Sequence, residues 1–120
     1  NGTCEADEWT LVAENASSAK TNMGNGNNKL ITLLVANGSK LYIGYDNGTD
    51  GVEIFATKDG ITDPTSETDF EQIGTSGLGG SSNTKQIYSG ISVMQGLDFF
   101  IYISAGDNGN PVNIFRNRNY

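Results

Sequence analysis

The sequence predicts an all-β protein built from two four-stranded antiparallel units. Three observations lead there. Apolar residues arrive in short bursts between turn formers, and Gly, Asn, Thr and Ser together fill 51 of the 120 positions, which suits many short strands rather than helices. No stretch sustains a helical period. The pattern also repeats after about 60 residues, the signature of a stacked repeat architecture.

The first copy runs from Trp9-Thr-Leu-Val through Leu33-Leu-Val-Ala-Asn-Gly38 to Leu41-Tyr-Ile-Gly-Tyr-Asp-Asn-Gly48 and Val52-Glu-Ile-Phe55. The second runs from Phe70-Glu-Gln-Ile through Ile91-Ser-Val-Met-Gln-Gly96 to Ile101-Tyr-Ile-Ser-Ala-Gly-Asp-Asn-Gly109 and Val112-Asn-Ile-Phe115. Trp9 to Ala13 and Phe70 to Ile73 alternate apolar and polar residues, as half-exposed strands do. Leu30 to Val35, Leu41 to Tyr45 and Phe99 to Ile103 are nearly continuous apolar runs, which predicts strands covered on both faces. Asn37-Gly38 and Gln95-Gly96 separate such runs, where a tight hairpin needs residues that tolerate positive φ. Asp46 to Gly51 and Asp107 to Pro111 serve the next turns. Ala16 to Asn28 and Thr75 to Lys85 read as Gly/Ser/Asn-rich loops at matching places.

Four strands per repeat, joined as a meander, describe a β-propeller blade. Residues 1–68 form the first blade, with an N-terminal strand able to complete a neighbouring blade, and residues 69–120 form a second blade without its last strand. Thr57-Lys-Asp-Gly60 followed by Phe70 resembles the Asp-box turns of sialidase-like propellers, with Ile61 to Thr68 inserted before the aromatic and no Asp at the matching place in Arg116 to Tyr120. The two-blade layout is similar to that of small fucose-binding lectins whose subunits assemble into a six-bladed ring, a resemblance of architecture alone. Two blades cannot close a ring, which needs about four. The reading therefore expects other chains, or a longer parent polypeptide, to complete the structure: three copies give six blades and four give eight.

Composition narrows the function. The chain lacks His, which removes Ser–His and Cys–His catalysis and His-bound zinc. The net charge of −7 disfavours nucleic acid, because too few cations stand ready for phosphates. No apolar run is long enough for a membrane-spanning helix. Sequons at Asn1, Asn15, Asn37 and Asn47 point to a secreted, glycosylated protein whose signal peptide has been removed. Cys4, the sole cysteine, is a candidate for an intermolecular disulfide or an inert thiol.

Candidate sites follow from chemistry. Asp46, Asp50 and Asp107 sit in Gly/Asn-rich turns and outline a calcium loop, although the bidentate Glu expected at position twelve is Thr57; Asx-stabilised turns are the competing reading. Tyr45 and Tyr88, near loop edges, with Arg116, could stack on and hydrogen-bond a glycan. No carboxylate pair stands out for glycoside hydrolysis, and a sialidase-like arginine cluster is missing, so no catalytic residue is assigned. The reading is a non-enzymatic extracellular module that joins copies of itself through strand exchange or blade packing. Two alternatives stay open: a glycan-binding lectin forming a closed ring, and a piece of a larger propeller.

Overall fold

A computed structural model of the chain describes residues 9–13, 22–107 and 109–119. Seven strands form two antiparallel meanders. The first sheet takes β1 (Asn28–Asn37), β2 (Lys40–Asn47), β3 (Glu53–Thr57) and β4 (Phe70–Gln72) in sequential order, and the second takes β5 (Gln86–Gln95), β6 (Asp98–Asp107) and β7 (Asn110–Asn119). The chain is all-β, as expected. The first sheet extends to Gln72, since Phe70 pairs with Thr57 of β3.

The turn chemistry accounts for the topology. Asn37 pairs with Lys40 and Gln95 with Asp98, leaving two-residue connections in which Gly38 and Gly96 adopt φ of 61° and 63°. Side chains with a Cβ rarely take that geometry, and it matches the twist of the strands it joins.

The two sheets face each other across a shared core of Leu33, Tyr42, Val52, Ile54, Ala56, Ile87, Ile101, Ile103 and Ala105. They meet at their first strands. A Cβ on Gly90 of β5 would come within 2.1 Å of Leu33 Cδ1, and one on Gly44 of β2 within 2.6 Å of Ile87 Cδ1, so each glycine marks a close approach. Asp46 fastens this contact: its Oδ1 accepts from the Ile87 amide and from Thr32 Oγ1, both at 2.8 Å. The first sheet carries a second apolar cluster on its outer face, with Ile43, Tyr45, Phe55 and Phe70 buried and Val12, Met23 and Leu41 packed against them.

Residues 9–13 pair with no strand among the described residues, contrary to the strand expected there. Val12 packs on the outer cluster, but the alternating pattern finds no edge to join. Described parts of both predicted loops take a defined geometry. Asn22, Met23 and Gly24 form a left-handed turn with φ of 52°, 61° and 85°. Gly77, Leu78 and Gly79 form another, at 73°, 53° and 131°. Each turn drives its central side chain into a core: Met23 reaches the outer cluster and Leu78 the shared one.

Candidate functional site

A cleft of about 340 Å³ lies between the sheets, on the side away from the β1–β5 contact. Tyr42 and Ile54 of the first sheet form one wall, and Ile101, Ile103, Phe115 and Asn117 of the second form the other. Ile73, Thr75 and Leu78, from the segment after β4, close the end. That segment is held by backbone bonds: the Ile73 amide donates to Ile54 O and the Gly77 amide to Val52 O, both at 2.8 Å. Gly51 packs so tightly on Gly77 that a Cβ there would lie 2.7 Å from Gly77 Cα. Leu78, a non-glycine residue with positive φ, sits in a conformation that costs about 1–2 kcal/mol. Burial of its side chain against the core offsets that cost. The cleft is a wide, mostly apolar surface with Thr75 and Asn117 as polar lining residues and Arg116 at its β7 edge.

β7 borders the cleft and pairs only with β6 among the described residues. Its outward face, with that of β6, carries Ile114, Arg116, Arg118, Phe100 and Tyr102. The Arg116 guanidinium lies 5.1 Å above the Phe100 ring, and Arg118 bonds Asp98 Oδ1 at 2.5 Å. Such an edge offers a row of main-chain donors and acceptors to another strand.

The sequence-predicted residues separate into distinct surroundings. Tyr45 is a correction: it is 1% exposed, packed edge-on against Phe55 at 6.0 Å, and so is closed to any sugar. The strand alternation turns it inward, not toward the loop. Tyr88 stays exposed on β5, its hydroxyl donating to Gln86 Oε1, and Arg116 lines the cleft; the structure does not gather the three into one site. The three aspartates likewise part company. Asp46 joins the sheets, Asp107 pairs with Lys85 at 3.7 Å, and Asp50 belongs to an asparagine network. Among the described residues no three Asp, Glu or Cys side chains converge as a metal site would require.

That network escaped the sequence reading. Glu53, buried, accepts from Asn25 Nδ2 (3.0 Å), Asn28 Nδ2 (2.8 Å) and Ser76 Oγ (2.7 Å). Asp50 Oδ2 accepts from Asn25 and Asn27, bonds that hold its exposed carboxyl below the usual range, Asn27 contributing most. Asn47 Oδ1 accepts from the Thr49 and Asp50 amides, an Asx turn, while its Nδ2 donates to Asn28 Oδ1 at 2.9 Å. The only signal was the density of Asn in two loops distant in sequence. It also bears on the sequons: Asn47 is 0% exposed and Asn37 is buried, so a glycan on either amide would have to displace packed structure. Asn1, Asn15 and Cys4 lie outside the described residues.

Burial pushes the Tyr45 hydroxyl up to about 12, with the Glu67 carboxylate adding to the effect. An unfolded tyrosine releases its proton near pH 10, so between about pH 10 and 12 the unfolded state binds fewer protons and folding stability falls as pH rises. Below pH 10 this contribution is fully present. Tyr45→Phe is expected to remove that part of the alkaline loss in pH-dependent urea unfolding. Since the hydroxyl makes no hydrogen bond, it should cost little at neutral pH; an unchanged alkaline profile would contradict the assignment.

Compared with known proteins, the chain matches no family model, no curated protein and no solved structure. Among the described residues no helix is long and apolar enough to cross a membrane.

Proposed function

We propose that this chain is a non-enzymatic, extracellular module of the β-propeller type, whose two blades are completed by further copies of itself. The observation that carries the reading is that each sheet has an outer face rich in uncovered apolar side chains. On the first sheet Ile31 (51% exposed) and Leu34 lie beside Ile43 and Tyr45. On the second, Ile91 and Ile114 (77% exposed) lie beside Tyr102 and Ser104. Faces of this kind mark interaction surfaces in soluble proteins.

Charge supports pairing of unlike faces. Residues 22–72 carry three Lys against eight Asp and Glu, a net −5, and residues 73–119 carry one Lys and two Arg against two Asp, a net +1. Self-association of two different faces is heterologous: it closes a ring when the rotation permits and otherwise extends as a filament. The meander order and the contact of the sheets at their first strands suit blades radiating from an axis.

Ile31→Asp and Ile114→Asp each spoil one face and leave the other intact. Each variant alone should sediment as a single chain, and an equimolar mixture of the two should form a pair and stop there. If either variant assembles as the unmodified chain does, these faces do not mediate association.

A further inference from the structure

We propose that the inter-sheet cleft receives the Trp9–Val12 segment of a second copy of this chain. That segment adds to the edge of β7 as a fourth strand and seats Trp9 and Leu11 in the cleft. The inference rests on the self-association reading above and names the site at which it occurs.

The first sheet supplies the template. There β4 joins β3 with Gln72 opposite Phe55, Glu71 opposite Ala56 and Phe70 opposite Thr57. The repeat maps residues 55–57 onto 115–117, and Phe70-Glu-Gln-Ile73 onto Trp9-Thr-Leu-Val12. The same register on β7 places Leu11 opposite Phe115, Thr10 opposite Arg116 and Trp9 opposite Asn117. Phe115 and Asn117 both line the cleft. Trp9 and Leu11, two residues apart on a strand, then point into it together. In the first sheet Phe70 is buried among Ile43, Tyr45 and Phe55, and the counterparts of those three are Ile103, Ala105 and Phe115. Alanine in place of tyrosine leaves room for an indole in place of a phenyl ring.

The donor segment is already presented. Val12 packs on the outer cluster as its counterpart Ile73 packs on the shared one, and Met23 does the same as Leu78. Residues 9–13 therefore lie against the first sheet where the last strand of a preceding blade would lie, with Trp9 77% and Leu11 70% exposed. The chain's own cleft is on the opposite face of that sheet, so the recipient is another copy. Charge agrees with this choice: Glu5, Asp7 and Glu8 precede Trp9, and Arg116 and Arg118 stand on β7.

Trp9 is the only tryptophan, so its emission reports directly on the proposed seat. We expect the emission of the full chain to shift to the blue as concentration rises through the association range followed by sedimentation. Trp9→Ala and Leu11→Asp should each weaken association at least tenfold. Association with an unshifted emission, or Trp9→Ala associating like the unmodified chain, would overturn the cleft as receptor while leaving self-association standing. A chain that remains single at every concentration would overturn both.

Discussion

Gly44→Ala is expected to lower folding stability by about 1–3 kcal/mol, the range for overpacking a filled core. The added methyl would lie 2.6 Å from Ile87 Cδ1, 2.8 Å from Leu33 Cβ and 2.9 Å from Ile54 Cδ1. Ile87 and Ile54 can yield at their side-chain ends. Leu33 Cβ is fixed to the β1 backbone, so relief requires the strands to separate, and the β1–β5 contact that joins the sheets is lost with them. Urea unfolding at neutral pH measures the effect as a lower midpoint. Gly48→Ala is the matched control, since nothing lies within 4 Å of its Cβ position; its midpoint should barely move. Equal midpoints for the two variants would mean that the sheets do not pack as described.

Glu53→Ala should cost a comparable amount, about 2–4 kcal/mol, for a different reason. The carboxylate is buried at the start of β3 and accepts from Asn25, Asn28 and Ser76. Its removal takes one acceptor each from Asn25, on the loop entering β1, from Asn28 at the start of β1 and from Ser76 on the turn that closes the cleft, while Asn25 and Asn28 keep their bonds to Asp50 Oδ2 and Asn22 O. Each bond so lost to the buried carboxylate costs about 1–3 kcal/mol. Glu53→Gln keeps the shape but turns an amide N–H₂ toward groups that donate, and should recover only part of the loss. Amide hydrogen exchange adds a spatial check: protection should fall around residues 25–28 and 76–78 before it falls in β5 and β6. Uniform loss across both sheets would contradict a local role for the network.

The sequence carried the strand pattern because strand burial is written in residue-by-residue alternation and hairpins in Gly at fixed places. Gly38 and Gly96 adopt the positive φ their positions implied, and the repeat matched Ile43 with Ile103 and Phe55 with Phe115, which lie on corresponding faces of their sheets. What pattern could not supply was partnership between distant segments. Tyr45 adjoins the Asp46 to Gly51 turn that the pattern implies, yet β2 runs on to Asn47 and strand alternation buries Tyr45 against Phe55. Asp46, read as a turn or metal residue, instead bonds an amide 41 residues away. The Asn network draws on loops separated by a whole hairpin, and nothing in either loop alone announces Glu53 as their common acceptor. Trp9-Thr-Leu-Val has strand character without a strand partner among the described residues, which is the feature that self-association would satisfy.

The most direct test of that central claim is a native mass spectrum of the unmodified chain. The account predicts masses at whole multiples of 12.8 kDa, either one closed species of three or four copies or an open series. A spectrum holding only the single chain, at concentrations where the apolar faces would be saturated, would contradict it.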